Sequence, residues 1–261
     1  MKKLFIAMAL LAGLSACSKS LFNNSDDKAV VEFSLTDAPS LKGYQALYID
    51  VQGIEYSVDS GEWVSLPITP AVVNLMDLTN GQDTLLGNVE LEAGQTISQV
   101  RLKLGEDNTL VLADGSEVSI KTPSAQTSGL KINIQSDVSM TSGYKIMIDF
   151  NAEKSIVAKG KGNGGYSLKP VIRGYIVANT SRIFGHISPS KVPYNVMAIK
   201  GVDTILTVSD TLQNNYFMLH GLTSGTYDIK FINSADSVCK TLVQEVIGGT
   251  NVDLGTVQIG Q

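Results

Sequence analysis

Apolar and polar residues alternate along most of the chain with a period of two. In Val100-Arg101-Leu102-Lys103-Leu104 apolar positions alternate with basic ones, and a similar alternation runs through residues 145–150. Successive side chains of a strand point to opposite faces, so this pattern indicates strands with one buried face. Such strands are typical of antiparallel sheets, and no segment has the pattern of a long amphipathic helix. We therefore predict an all-β protein.

Turn signals divide the chain into short strands. Asp59-Ser60-Gly61, Asn80-Gly81 and Asp114-Gly115 have the composition of tight turns, and Gly53 is a candidate bulge. Besides the two segments above, strands are predicted at residues 30–36, 47–58, 62–66, 72–78, 109–113, 130–135 and 167–178. Short strands at this spacing are typical of a β-sandwich.

A polar break at Asn179-Thr180-Ser181 separates a second group of strands from the first. Seven more strands are predicted at residues 182–187, 194–199, 204–209, 215–219, 225–232, 239–246 and 252–259. Seven short strands suit a compact Greek-key sandwich. We predict two antiparallel β-sandwich domains in tandem, at residues 29–179 and 180–261.

Charge and histidine content narrow the classes of partner. The formal net charge is -5 at pH 7, which repels phosphate backbones, so nucleic acid is not an expected partner. His186 and His220 are the two histidines of the sequence, and both are expected to be structural or solvent-facing. Asp107-Asn108 and Asp203 offer oxygen ligands without the spacing of a calcium loop. We expect no metal and no cofactor.

The amino terminus resembles a bacterial lipoprotein signal. A charged start and a short apolar run end in Leu14-Ser15-Ala16-Cys17, which resembles a lipobox, so residues 1–16 are predicted to be removed and Cys17 to be lipidated. Residues 17–28 form a polar tether, in which Ser25-Asp26-Asp27-Lys28 resembles the export signal of surface lipoproteins of Bacteroidetes. We expect an outer-membrane lipoprotein facing the cell surface, with a periplasmic orientation as the alternative. Cys239, in a strand-like segment, is expected to be a buried apolar side chain.

Two family resemblances follow from longer motifs. Residues 183–189, 216–229 and 252–257 resemble the carboxypeptidase regulatory-like, or transthyretin-like, β-sandwich. This resemblance implies a non-catalytic module for spacing or display. Gly221 and Gly225 flank a tight loop, and Tyr227 resembles the tyrosine of a sandwich corner.

The first part of the chain resembles the bacterial lipoprotein domain of unknown function 4382. The segments that carry the resemblance are residues 34–39, 122–131, 149–152, 155–157 and 168–173. The resemblance implies an all-β lipoprotein of the surface or periplasm and supplies no catalytic residues.

A loop rich in hydroxyl and amide groups is the candidate ligand site. It contains the candidate binding residues Thr122, Ser124, Gln126, Thr127 and Ser128, whose groups suit a polyol or a peptide. The alternative is a solvated hairpin loop whose serines cap its own turns.

Other candidates have structural interpretations. Asp37 precedes Ala38-Pro39 and is expected to form an Asx-turn rather than to bind a cation. Asp149 and Glu153 would serve a glycosidase only if they converged in a cleft. The segment 160–165 lacks the ending of a phosphate loop, and Trp63 is expected to be half-buried in a strand.

Four tripeptides resemble the O-glycosylation acceptor of exported Bacteroidetes proteins. The acceptor positions would be Thr84, Thr204, Thr211 and Ser237. One or two of them are predicted to be used.

Together these patterns indicate a lipid-anchored envelope protein with a binding, adhesion or structural role and no catalytic activity. A polysaccharide or an envelope protein is the expected partner. The most specific hypothesis for the binding role is glycan binding at the cell surface. A fimbrial or assembly subunit is the alternative, followed by a glycoside hydrolase or its accessory protein. Oligomeric state is left open.

Overall fold

The all-β prediction is confirmed. The structure is a computed structural model that describes residues 28–38, 43–92, 94–122, 128–134, 143–159 and 165–260. Helical structure in these residues is limited to one turn of α-helix, α1 (Ala152–Ser155), and 3₁₀ turns at Leu75–Asp77, Val177–Asn179 and Thr211–Gln213.

The N-terminal part forms two main sheets. The first contains β1 (Lys28–Asp37), β5 (Thr84–Glu92), β10 (Tyr144–Phe150) and β13 (Ile172–Ile176), in the order β13-β10-β1-β5. The second contains β2 (Tyr44–Val58), β3 (Trp63–Leu66), β4 (Ala71–Asn74), β6 (Ile97–Leu104), β7 (Thr109–Leu112), β8 (Glu117–Ser119) and β9 (Leu130–Asn133). Its order is β8-β7-β2-β6-β9, and β3 and β4 also pair with β2. A separate pair consists of β11 (Ile156–Ala158) and β12 (Tyr166–Leu168).

The C-terminal part forms two smaller sheets. One contains β14 (Ser181–Ser188), β17 (Tyr216–Leu222) and β20 (Asn251–Gln258), in the order β17-β14-β20. The other contains β15 (Asn195–Lys200), β16 (Asp203–Val208), β18 (Gly225–Ile232) and β19 (Val238–Val246), in the order β16-β15-β18-β19. Each of the seven strands predicted for this part has a counterpart.

Each part encloses its own apolar core. The first core is built around Phe33 and Phe150, which are fully buried, and runs from residue 31 to residue 176. The second runs from residue 183 to residue 259 and contains the edge-to-face pair Phe217 and Phe231, with ring centroids 5.6 Å apart. Burial of large apolar side chains is the main stabilising contribution to both sandwiches.

The strand pairing differs from a purely antiparallel arrangement. β1 pairs with β10 in parallel, and β14 pairs with β20 in parallel. Each parallel pair joins strands that are far apart in sequence, which leaves room for the crossover that a parallel connection needs. Both sandwiches are therefore mixed, with one parallel pair each among the described strands.

Two predicted strands end early. Residues 72–78 form β4 only as far as Asn74, whose side chain accepts a hydrogen bond from Met76 N and starts a 3₁₀ turn. The predicted strand at 167–178 is split at Lys169-Pro170, because proline has no N–H to donate to a ladder. The register between β2 and β6 shifts between Val51 and Gly53, so a bulge lies next to the predicted position, with Gln52 as the extra residue.

Candidate functional site

Arg173 links the two sandwiches at their junction. It lies on β13 opposite Asp149 of β10, with its Nε 2.6 Å from Asp149 Oδ2. Its Nη1 and Nη2 donate to the carbonyl oxygens of Gly221 and His220 at 3.1 and 2.9 Å. Burial opposes the positive charge, but the Asp149 carboxylate, together with Tyr175 and Tyr227, holds the pKa of Arg173 above its ordinary value. Arg173 is therefore a charged, structural contact between the domains.

Tyr175 makes a second contact two residues further along β13. Its hydroxyl lies 2.6 Å from His220 Nδ1. Burial lowers the pKa of His220 and raises that of the Tyr175 hydroxyl, so the phenol donates to a neutral imidazole. Gly221 allows this approach, because a Cβ there would lie 2.6 Å from the Tyr175 ring. His220 is thus structural.

The Asn80-Gly81 turn makes the third contact. Asn80 Nδ2 donates to Val208 O at 2.9 Å, and Asn80 Oδ1 accepts from Thr207 Oγ1 and from Met218 N at 3.0 and 3.1 Å. These partners lie on β16 and β17, the edge strands of the two C-terminal sheets. One side chain therefore covers the seam between those sheets.

A groove of about 1020 Å³ lies between the two sandwiches beside this junction. Strands β9 and β13 contribute one wall, and residues near β15, β16 and the β17–β18 loop contribute the other. Its polar lining is made of Lys131, Asn133, Arg173, Asn179, Thr180, Lys200, Asp203, Thr204, Thr223 and Ser224. Its volume is that of a small-ligand site, and its lining is more polar than that of most such sites.

A tyrosine corner fixes a lysine on the C-terminal wall. The Tyr227 hydroxyl donates to Thr223 O at 2.9 Å and accepts from Thr223 N at 3.1 Å, as its resemblance to a corner tyrosine implied. Lys200 Nζ donates to Thr223 Oγ1 at 2.5 Å and to Ser224 O at 3.1 Å, and lies 5.2 Å from the Tyr227 ring centroid. The corner that joins the two C-terminal sheets thus also positions an ammonium group.

A basic strip adjoins the N-terminal wall. Lys131 on β9 is exposed and lies opposite Arg101 of β6. The Arg101 guanidinium stacks 3.7 Å from the Trp63 ring centroid. Lys103 and Arg101 both contact Glu55, and the hydrogen bond from Lys103 is the main reason that the pKa of Glu55 is lowered. Trp63 is half-buried in a strand, as predicted.

The structure places the predicted binding loop only in part. Thr122 is fully buried, so its hydroxyl is not presented at the surface, which removes it from the predicted binding set. Ser124, Gln126 and Thr127 lie outside the described residues. Ser128 is exposed and stands three residues before Lys131 of the groove.

The predicted modification sites differ in exposure. Ser237 is exposed, whereas Thr84, Thr204 and Thr211 are half-buried. Thr204 lines the groove. Their glycosylation stays a prediction. Cys17, the proposed lipid site, lies outside the described residues, as do residues 160–164.

The acidic candidates Asp37 and Asp149 both have structural partners. Asp37 is fully buried, and its Oδ1 accepts from Ala152 N at 2.9 Å, so it has a structural role. Residues 39–42, which the expected Asx-turn would include, lie outside the described residues. Asp149, one of the two carboxylates considered for a glycosidase, is paired with Arg173. In the described part of the chain, no three metal-ligating side chains come together.

The remaining predictions fall in strands or at the surface. Cys239 is half-buried against the second core, and not fully buried as expected. The His186 Nδ1 lies 3.2 Å from Asn214 O, and the ring is half-exposed. No helix among the described residues has the length and apolarity needed to cross a membrane.

Sequence analysis named several residues that line the groove, such as Thr204 and Tyr227, but assigned none of them to a binding site. Asn80 has only the signal of a turn residue, Lys131 ends the segment 122–131 that carries the family resemblance, and Lys200 lies in no motif. Arg173 had a signal, because it ends one of the segments that carry the family resemblance, at residues 168–173.

A family model accounts for more than half of the chain. Residues 28–170 match the family described as "Domain of unknown function (DUF4382)". No curated protein matches the chain.

Several solved structures resemble the chain weakly. The Bacillus anthracis TIE protein is 8% identical with a TM-score of 0.24, over 88% of this chain and 34% of that one. BcpA, the major pilin subunit of Bacillus cereus, is 9% identical with a TM-score of 0.22, over 88% and 69%. A fimbrial protein from Bacteroides ovatus is 8% identical with a TM-score of 0.19, over 89% and 50%. The chain thus spans about a third of the length of the Bacillus anthracis protein.

Proposed function

The chain belongs to the family described as Domain of unknown function (DUF4382), and from this premise we propose that it is a lipid-anchored, non-catalytic binding protein of the bacterial outer membrane. Its ligand site is the groove between the two sandwiches, and its ligand class is a glycan. Acylation at Cys17 holds it on the membrane, with the folded part facing the cell surface.

The groove is the observation that carries this proposal. Its walls come from both domains, and the contacts of Arg173, Tyr175 and Asn80 fix those domains relative to each other. Amide and hydroxyl groups such as those of Asn133, Thr180 and Thr204 suit the hydroxyl groups of a sugar chain. A site whose walls are fixed before binding loses little entropy when the ligand binds.

The acids near the groove favour binding over hydrolysis. Asp203 is the one carboxylic acid among the described residues that line it. Glycoside hydrolysis in its usual form needs two carboxyl groups about 5 to 10 Å apart across the sugar. Asp149 is occupied by Arg173, and its side chain is almost fully buried. This arrangement supports a non-catalytic role over a glycoside hydrolase.

The C-terminal sandwich is proposed to be a carboxypeptidase regulatory-like module. Its seven strands in two sheets and the Tyr227 corner support this assignment. In this role the module supplies one wall of the groove and has no chemistry of its own.

A glycan array with a groove-blocking variant tests the proposal. Full-length protein in detergent should give a saturable signal on a bacterial glycan array, and Thr204→Trp should abolish it by filling the groove. Thr226→Trp is the matched control, since Thr226 is exposed on β18 and lies outside the groove lining. A blank array, or equal binding by Thr204→Trp, would refute the proposal.

Surface orientation has its own test. Protease added to intact cells should remove the protein, and removal only after the outer membrane is permeabilised would place it in the periplasm.

Intact-mass measurement on the natively expressed protein should in addition show hexose-sized increments if any of the four predicted acceptors is glycosylated.

An assembly subunit is the second candidate function. β19 is an edge strand, Val243 on it is 71% exposed, and Ile247 just after its end is 65% exposed. An exposed apolar edge can pair with a strand of another chain. Sedimentation should then show self-association that Val243→Lys abolishes, whereas a monomer at all concentrations would exclude this role.

A further inference from the structure

We propose that the groove selects an anionic polysaccharide, whose carboxylate or sulfate groups are bound between Lys131 and Lys200. This inference rests on the proposed binding function and adds the chemical class of the ligand. It follows from the local charge, from the fixed position of Lys200 and from the basic strip beside the groove.

The charge of the groove is opposite in sign to that of the chain. The chain carries a formal net charge of -5, whereas the described lining contains Lys131, Lys200 and Arg173 against the single acid Asp203. Arg173 is neutralised by Asp149 and forms the floor of the junction. Two lysines from different domains therefore face one exposed acid, and the groove keeps a positive potential.

Lys200 is prepared to bind an anion. Two of its three N–H groups are used by Thr223 and Ser224, which leaves one donor. Its stem crosses Gly225, where a Cβ would lie 2.9 Å from Lys200 Cδ. An ammonium group that is already held in place forms a charge-assisted hydrogen bond with little loss of side-chain entropy.

Lys131 extends the positive surface out of the groove. Among the described residues it has no ion pair, and it lies opposite Arg101. Arg101 and Lys103 share the acid Glu55. The strip thus runs from the groove across β9 to β6. A basic strip that continues outside the groove can bind several charges along a polymer, whereas a small anion would contact only part of it.

The other lining groups indicate that the polymer is a polysaccharide. Amides and hydroxyls at Asn133, Asn179, Thr180 and Thr204 line the same groove as the two lysines and offer neutral hydrogen bonds. They suit a ligand that carries hydroxyl groups between its charges. A phosphodiester backbone carries its charge more densely, and the net charge of -5 repels it more strongly.

Recognition of charge can be distinguished from recognition of the sugar by comparing three polymers that have the same backbone. Full-length protein in detergent is titrated with dextran, carboxymethyl-dextran and dextran sulfate, which share the glucan chain. The anionic forms should bind at least about tenfold more tightly than dextran, a difference of about 1.4 kcal/mol. Raising NaCl from about 50 to about 500 mM should weaken that binding severalfold, since the Debye length shortens to about 4 Å. The stronger of the two anionic dextrans identifies the preferred group.

Lysine variants locate the interaction. Lys131→Gln, which changes an exposed side chain, should weaken binding of the anionic dextrans about tenfold, as expected for loss of one charged hydrogen bond. Lys200→Gln should do the same, and Lys200→Arg should retain binding because it keeps the charge. Lys154→Gln is the matched control, with the same charge change on an exposed residue of α1 outside the groove.

Each result supports or overturns the inference. Equal binding of neutral dextran, or Lys131→Gln behaving as the Lys154→Gln control does, overturns the anionic class. If the array shows neutral glycans whose binding Thr204→Trp abolishes, the proposed function stands and the inference falls. If neither the dextrans nor the array gives a signal, both fall.

Discussion

Asp37 is the residue whose environment departs most from that of an ordinary aspartate. It is fully buried at the end of β1, its Oδ1 accepts one backbone hydrogen bond, and its Oδ2 has no partner among the described residues. Burial raises its pKa well above the ordinary value, and the nearby Asp149 carboxylate adds to the rise. The protonated form is therefore favoured in the folded state.

This shift gives a stability prediction with a definite sign. The folded state holds the Asp37 proton more tightly than the unfolded chain does, so stability is lost as pH rises above about 4, the unfolded pKa, towards the folded value. Asp37→Asn, which is neutral at every pH, should raise the free energy of unfolding relative to wild type at pH 8. Urea unfolding at pH 4.5 should show a smaller gain, and a gain that does not depend on pH would contradict the assignment.

Arg173 gives the second prediction at this scale. Arg173→Met removes two bonds to the C-terminal domain and leaves the buried Asp149 without its cation. We expect a loss of about 2 to 3 kcal/mol in the free energy of unfolding, measured by denaturant titration. Adding Asp149→Asn should restore part of it, because no buried charge is then unpaired. Arg182→Met, at an exposed site, should change little.

At the scale of the element, alternation identified the strands that keep one face buried along their length. β6 alternates almost perfectly in burial, and the seven C-terminal strands lie within two or three residues of their predicted bounds at each end. β5 was missed because Gly87-Asn88 interrupts its pattern. Gly87 is required there by contact, since a Cβ would lie 3.0 Å from Leu66 and Ile68 side chains. Residues 84–92 therefore form a strand because of tertiary packing, which the local sequence pattern does not show.

The Asn80-Gly81 turn supports the third prediction. Gly81 has φ +85° and a Cβ there would lie 2.5 Å from Met218 Sδ, whereas Gly115 has φ +82° with nothing within 4 Å. Alanine at either position incurs the left-handed backbone cost of about 1 to 2 kcal/mol. Gly81→Ala should lower the melting temperature more than Gly115→Ala does, and the excess should shrink in the Met218→Ala background. Equal losses would show that Met218 moves aside freely.

At the scale of the whole molecule, the groove could not be predicted from sequence. Lys131 and Lys200 are far apart along the chain and belong to different sandwiches, so their proximity depends on how the domains dock. In the loop that the sequence did single out, Thr122 is fully buried. The hydroxyl-rich composition of a segment shows only that the segment is polar. The position of a groove depends on which surfaces of the two sandwiches come together.

Membrane attachment gives the fourth prediction. Cys17→Ser should move the protein from the membrane fraction to the soluble fraction, because acyl chains contribute about 0.8 kcal/mol per buried methylene. Fractionation after a high-salt wash, followed by immunoblotting, measures the change. Cys239→Ser alters the other cysteine of the sequence and should leave the protein in the membrane fraction. Retention of Cys17→Ser in the membrane would exclude lipid anchoring through this residue.

The position of Asn80 bears on how such proteins diverge. Because its amide covers the seam between β16 and β17, the C-terminal sandwich relies on a turn that belongs to its neighbour. Recombination that moves this sandwich to another protein would leave two strand edges without their cover. We therefore expect that the second domain cannot be transferred alone without loss of stability. Exchange between relatives should preserve the Asn-Gly turn together with the β16 and β17 strands that it contacts.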